Sequence, residues 1–193
     1  PIDPISGEVD ISFAKPNGTV DATIPDGNGG WYIGGDFTAV GGETRIRLAH
    51  IDSSGQVTDW NPGSNRRVFS LLLRNGILYV GGNFSKIGGQ DRLRLAAFDA
   101  SSGSLTSWNP RINGALATMD ESDGIVYAGG AFTRLGAYSA YGSPVDKLSG
   151  MVDTSFAQPN GWVRTSVPDG NGGWYIGGNF SEVGGEPRSR LAQ

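Results

Sequence analysis

The residues able to do chemistry are few. His50 is the only histidine and cysteine is absent, so disulfides, thiolate catalysis and Cys-ligated metals are excluded, and neither a histidine metal site nor a supported Ser-His-Asp triad can be assembled. Two copies of an Asp-Gly-Asn-Gly-Gly string begin at Asp26 and Asp169. Oxygen side chains in a glycine-rich loop suit a hard cation. The same phase holds Asn75-Gly76 without an acid, and the closing glutamate of an EF-hand loop is missing, so the strings read as widened hairpin turns and no metal or other cofactor is expected. Asp120 and Glu121 read as solvated carboxylates of a hairpin turn. Two acids converging on a glycosidic bond remain the alternative, enzymatic reading.

Binding chemistry is better represented. Arg45/Arg47, Arg92/Arg94 and Arg188/Arg190 lie two apart, a spacing that puts both guanidinium groups of a pair on one face of a strand. There they would meet an anionic glycan or pair with Asp or Glu of a neighbouring unit, and their recurrence favours the second role. Other aromatic and basic residues depart from any recurrence: Tyr138, Tyr141, Arg66, Arg67, Arg111 and Trp162. Repeated positions are made alike by packing, so function is sought where the repeats differ. Tyr138, Tyr141, Arg66, Arg111 and Trp162 form the candidate ligand-binding set, on loops expected to share one face.

What positions these residues is a fourfold repeat. Gly34-Gly35 recurs as Gly81-Gly82, Gly129-Gly130 and Gly177-Gly178. Ser6-Gly7, Ser54-Gly55, Ser102-Gly103 and Ser149-Gly150 keep the same period at another phase. A period in the forties, rich in glycine and aromatics and without helical patterning, is that of a four-stranded β-propeller blade. The fold expected is all-β, a propeller of four-stranded antiparallel blades. In the second unit Val68 to Leu73, Ile77 to Val80, Arg92 to Asp99 and Ser104 to Trp108 read as its strands, with Asn75-Gly76 turning the first hairpin and Asn109-Pro110 ending the last. Units are placed at 19–66, 67–113, 114–161 and 162–193, the fourth incomplete, with 1–18 as the end of a blade. Phe37, Phe84, Phe132 and Phe180 follow the glycine pairs at a constant interval and read as packing between blades.

Residues 1–50 and 144–193 agree at 33 of 50 positions, and Pro25 to Gly35 is identical to Pro168 to Gly178. Adjacent units agree much less, which reads as duplication of a three-blade block. The orphaned first residues and the incomplete last unit fit a closed four-blade ring, half of an eight-blade ring made by two chains, or part of a larger ring. If the 193-residue chain folds stably by itself, residues 5–13 are expected beside the third strand of unit four, from the same chain or a neighbour. The start at Pro1 reads as a piece of something longer.

The 193 residues carry a net charge of −4 with no run of either sign, which excludes the basic face a nucleic acid would need. No apolar stretch approaches the roughly 20 residues of a membrane-spanning helix, and no signal peptide is visible. The string Leu78 to Gly89, followed by Arg94-Leu95-Ala96-Ala97-Phe98-Asp99 and Trp108-Asn109-Pro110, resembles the delta-sixty type, kelch-like propeller repeats of bacterial surface proteins. Unit three departs from it, with Gly136-Ala137 in place of the second glycine pair. The resemblance implies an extracellular or cell-surface module within a larger protein, structural or binding a protein or glycan, with no shared catalytic residues.

Overall fold

The computed structural model describes residues 5–8, 10–136 and 141–193. They build four antiparallel sheets, each from one repeat. The first contains β1 (Thr19–Pro25), β2 (Trp31–Asp36) and β5 (Leu48–Ile51), with a small hairpin, β3 (Ala39–Val40) and β4 (Glu43–Thr44), standing off the β2–β5 loop. The second repeats this plan with β6 (Val68–Arg74), β7 (Ile77–Gly82) and β10 (Leu95–Asp99), and the hairpin β8 (Lys86–Ile87) and β9 (Gln90–Asp91). The third has β11 (Ala115–Ser122), β12 (Ile125–Ala131) and β13 (Gly142–Asp146). The fourth has β14 (Trp162–Pro168), β15 (Trp174–Asn179) and β18 (Leu191–Ala192), with the hairpin β16 (Glu182–Val183) and β17 (Glu186–Pro187). These are blades of a β-propeller, and the described residues contain no helix.

Two details differ from the strand pattern expected of the sequence. The fourth strand of a blade is reduced to a single bridge, Val57 to Ile51, Leu105 to Phe98 and Val152 to Val145. The third strand of the second blade starts at Leu95, because Arg94 takes a left-handed φ of 66° that a strand cannot continue through. Arg47 and Arg190, at the same phase, do likewise with φ of 65° and 67°. The two arginines of a pair therefore do not lie on one strand face.

Each inner strand is bulged, between Val20 and Ala22, Val68 and Ser70, Leu116 and Thr118, and Val163 and Thr165. A bulge sharpens the local twist that lets successive blades fan out. The inner strands pack in order, β1 on β6, β6 on β11 and β11 on β14.

The cores lie between blades. Tyr32 and Leu48 of the first blade join Val68, Leu78, Phe84 and Phe98 of the second. Leu72, Tyr79 and Trp108 of the second join Leu116, Val126 and Phe132 of the third. Tyr127 and Phe156 of the third join Val163, Trp174 and Phe180 of the fourth.

These junctions interlock by one rule. A Cβ on Gly34 would sit 2.5 Å from Cγ1 of Val68, one on Gly129 would sit 2.7 Å from Cγ1 of Val163, and one on Gly81 would overlap Cδ2 of Leu116. The first glycine of each of the first three doublets is thus a notch for the inner-strand aliphatic of the next blade. Burying such a side chain is worth about 1.5 to 3 kcal/mol.

Candidate functional site

The registers define two ends of every blade. One end carries the β1–β2, β6–β7, β11–β12 and β14–β15 turns; the other carries the starts of the inner strands and the ends of β2, β7, β12 and β15.

At the first end Asp26 organises its glycine-rich turn. Its Oδ1 accepts the N–H of Asn28 at 2.7 Å and of Gly30 at 2.8 Å, while Oδ2 lies 2.9 Å from Nε2 of His50. An ionised carboxylate only accepts, so the His50 nitrogen is the donor. Burial pushes the Asp26 carboxyl up, but the bonds from Asn28, His50 and Gly30 outweigh it and hold the group below its ordinary value.

His50 stacks on Tyr32 at 4.5 Å, and its Nδ1 lies 3.4 Å from the Thr58 hydroxyl. Tyr32 meets Trp60 edge to face, and Trp60 meets Phe98 of the next blade. With Asp99 to Gly103 these residues line a cleft of about 410 Å³ between the first two blades.

The chain Thr58, His50, Asp26 has the order of a hydroxyl, base and carboxylate, and the sequence did not suggest it. The fourth blade tests its meaning. There Asp169 accepts from Asn171 and Gly173 N–H, and Gln193 stands where His50 does, donating Nε2–H to Oδ2 at 3.0 Å. Gln193, Asn171 and Gly173 together hold Asp169 below its ordinary value. A glutamine that fills the slot with the same bond cannot act as a base, which makes His50 a staple of the turn. Both carboxylates are engaged by the protein, and no cluster of three or more metal-ligating side chains exists among the described residues.

The repeated serines and arginines are similarly engaged. Oδ1 of Asp52, Asp99 and Asp146 accepts backbone and hydroxyl donors from Ser54, from Ser101 and Ser102, and from Ser149, closing the turn into the fourth strand. Asp99 is held down to about 2 by the Ser101 hydroxyl and the Ser102 N–H and hydroxyl.

Arg45 donates Nε and an Nη to the Thr58 carbonyl, and Arg92 an Nη to that of Thr106, so the first arginine of a pair secures its own fourth strand. Arg47 donates to the Ser64 carbonyl at 3.1 Å and Arg94 to that of Ile112 at 3.1 Å, reaching the loop that leads into the next blade. Backbone carbonyls are the main partners, in place of the neighbouring-blade carboxylates expected from the sequence.

Asp120 and Glu121 fall within β11, and Glu121 is buried. Its Oε1 accepts the Gly124 N–H and lies 3.8 Å from Nζ of Lys147. The expectation of two solvated turn carboxylates is therefore corrected for Glu121.

Of the sequence-derived candidate set, Tyr138 lies outside the described residues. Arg66, Arg111, Tyr141 and Trp162 all fall at the second end: Arg66 and Arg111 precede β6 and β11, Tyr141 precedes β13, and Trp162 opens β14. Arg66 lines a shallow cleft with Asp36, Arg47, Asn65, Arg67 and Asn83. Arg111 holds a left-handed φ of 60°. Trp162 lies under the Arg164 guanidinium, 4.2 Å from its ring centre, with its indole N–H buried and unpartnered. No hydrogen bond, ion pair or ring contact joins any two of the four, so they share an end of the blades without forming one cluster.

Repeated blades packed face to face and loops gathered at two ends define a β-propeller. Comparisons with known proteins agree on the fold. The family described as "Domain of unknown function (DUF5122) beta-propeller" matches residues 27–57 and 73–105. The crystal structure of the computationally designed Ika4 protein superposes with a TM-score of 0.58 at 15% sequence identity, covering 86% of this chain and 89% of that one. No curated protein matches.

Proposed function

We propose that the chain is a non-enzymatic propeller module of a larger extracellular or cell-surface protein, which binds a protein or glycan at the end bearing Arg66, Arg111, Tyr141 and Trp162. One contrast carries this reading. The recurrent polar side chains at the first end, and the arginine pairs of the first two blades, are bonded to the fold, whereas Arg66 and Arg111 expose guanidinium groups that make no bond to the described residues. Exposed arginine suits carboxylate pairing, and tyrosine and tryptophan at the same end suit stacking. The resemblance to bacterial surface repeats supports the location. Occupation of the Asp26–His50 pair as a turn staple supports the absence of catalysis.

The test is a glycan array with a parallel pull-down, using the wild type and the combined Tyr138→Ala, Tyr141→Ala and Trp162→Ala variant. Binding lost with unaltered thermal unfolding supports the reading. Binding that survives moves the site elsewhere, and hydrolytic turnover on a polysaccharide overturns the non-enzymatic assignment.

A further inference from the structure

Four asparagines hold one phase of the repeat. Asn17, Asn65, Asn113 and Asn160 each accept two backbone N–H groups from the loop that follows β2, β7, β12 or β15. In three blades the next residue is a glycine, and a Cβ on Gly18, Gly114 or Gly161 would overlap the carbonyl oxygen of Asp36, Ala131 or Asn179. In the second blade that residue is Arg66, and it is exposed. The chain therefore opens at this one position to seat an arginine, yet the guanidinium makes no bond to the described residues that would explain the exchange. A local rule broken without a gain inside the fold points to a use outside it.

The surroundings of Arg66 are rich in donors. Asp36, Arg47, Asn65, Arg66, Arg67 and Asn83 line a shallow cleft of about 470 Å³ with no apolar side chain among them. Arg47 gives its Nε–H to Asp36 at 2.9 Å and one Nη to the Ser64 carbonyl, and Arg67 gives its Nε–H at 2.6 Å and one Nη to the Asp21 carboxylate. Each keeps its other Nη unbonded to the described residues. Arg67 is also braced against Phe69, 5.6 Å from its ring centre. Three guanidinium groups thus meet two carboxylates, and the surplus charge is that of Arg66. The next junction has nothing similar, because Gly114, Ala115 and Ala131 hold the phases of Arg66, Arg67 and Asn83.

We propose that this cleft is an anion subsite, taking a carboxylate or sulfate group of an acidic glycan on the fork of Arg66, with the free Nη groups of Arg47 and Arg67 and the Asn83 amide bonding its remaining oxygens and the adjacent hydroxyls. The planar guanidinium fork matches such a group bidentately. The lining favours a glycan over a peptide, because a protein partner is anchored by an aromatic or aliphatic side chain in a desolvated pocket and this cleft offers none. The inference rests on the reading that this end of the blades binds a ligand, and it adds the charge and class of that ligand.

Calorimetric titration with trigalacturonate, its neutral methyl ester, a sulfated heparin tetrasaccharide and hexaglutamate tests this. The proteins are the wild type, Arg66→Gly, which restores the residue of the other blades, Arg66→Lys, and Arg134→Ala, which removes an equal charge from an exposed position of the third blade. Arg66 is exposed and unbonded, so its variants should keep the wild-type thermal unfolding. At least one acidic saccharide should bind, more weakly as salt is raised, and the methyl ester should not. Arg66→Gly should weaken that binding about 10- to 100-fold, Arg66→Lys should fall between, and Arg134→Ala should match the wild type. Binding of neither acidic saccharide, unchanged binding by Arg66→Gly or an equal loss in Arg134→Ala overturns the proposal. Hexaglutamate bound through Arg66 with neither saccharide bound overturns it in favour of an acidic protein segment. A neutral glycan lost in the combined Tyr138, Tyr141 and Trp162 variant would uphold the binding end and remove only the anion subsite, whereas acidic binding that survives that variant and is lost in Arg66→Gly upholds the subsite by itself.

Discussion

His50 donates Nε2–H to Oδ2 of Asp26 at 2.9 Å, and 143 residues later Gln193 makes the same bond to Asp169 at 3.0 Å. Two side chains with one donor geometry and very different acid–base chemistry occupy equivalent slots. The shared property, a single N–H aimed at a turn carboxylate, is therefore what the site requires.

His50→Gln should then be nearly silent, changing stability by less than about 0.5 kcal/mol. His50→Ala, which leaves the half-buried Asp26 oxygen without its donor, should cost about 1 to 3 kcal/mol. Urea unfolding of the two variants measures this, and a large loss in His50→Gln would show that the imidazole does more than donate.

The turn aspartates set the acid limit. Asp52, Asp99, Asp146 and Asp169 are all held below their ordinary values by hydroxyl, amide or backbone donors. A folded value below the unfolded one of about 3.9 means that the fold favours the ionised form. Its stabilisation is complete above that value and is lost as pH falls towards the folded one. Thermal unfolding should be insensitive to these groups above about pH 5 and should weaken between about pH 4 and 2. Carboxyl-carbon NMR should place the Asp99 midpoint near 2. A midpoint near 4 would contradict the bonds described for Ser101 and Ser102.

The notch rule can be tested at Gly81. Gly81→Ala drives a methyl group into Leu116 and should cost about 1 to 3 kcal/mol by overpacking, while Leu116→Ala should cost about 2 to 5 kcal/mol. Made together, the changes should cost less than the sum, because the cavity left by Leu116 accommodates the new methyl group. Additive losses in equilibrium unfolding would mean that the two positions do not interlock.

The repeat period, the glycine doublets and the Asn75-Gly76 hairpin were legible because they are local, fixed by turn geometry and by the distance from one blade to the next. Less legible was whatever depends on a neighbouring blade. The Arg92 and Arg94 alternation reads as a strand until the left-handed φ of Arg94 is seen, and that conformation is held by its N–H to the Phe84 carbonyl and by the reach of its guanidinium to Ile112. Glu121 reads as a turn residue because nothing local marks Lys147 as its partner. The His50 slot could have been found by setting His50 against Gln193 in the duplicated block, since a catalytic histidine would not be expected to alternate with glutamine. The four sequence-derived candidates that the structure describes share an end of the blades because each lies near the start of an inner strand or of β13, and a strand's start is readable where its long-range contacts are not.

In the first three blades the outer strand is tied to the sheet by one bridge and, in the first two, by an arginine gripping a carbonyl. It should therefore be the first part of the blade to detach, by local opening well below the free energy of global unfolding. When Val57 or Leu105 lets go, the outer rims of β5 and β10 present free amides and carbonyls to the surroundings. The guanidinium of Arg45 or Arg92 then acts as a latch, and weakening it would make the rim accessible to proteases and to foreign strands while the inter-blade cores stayed intact.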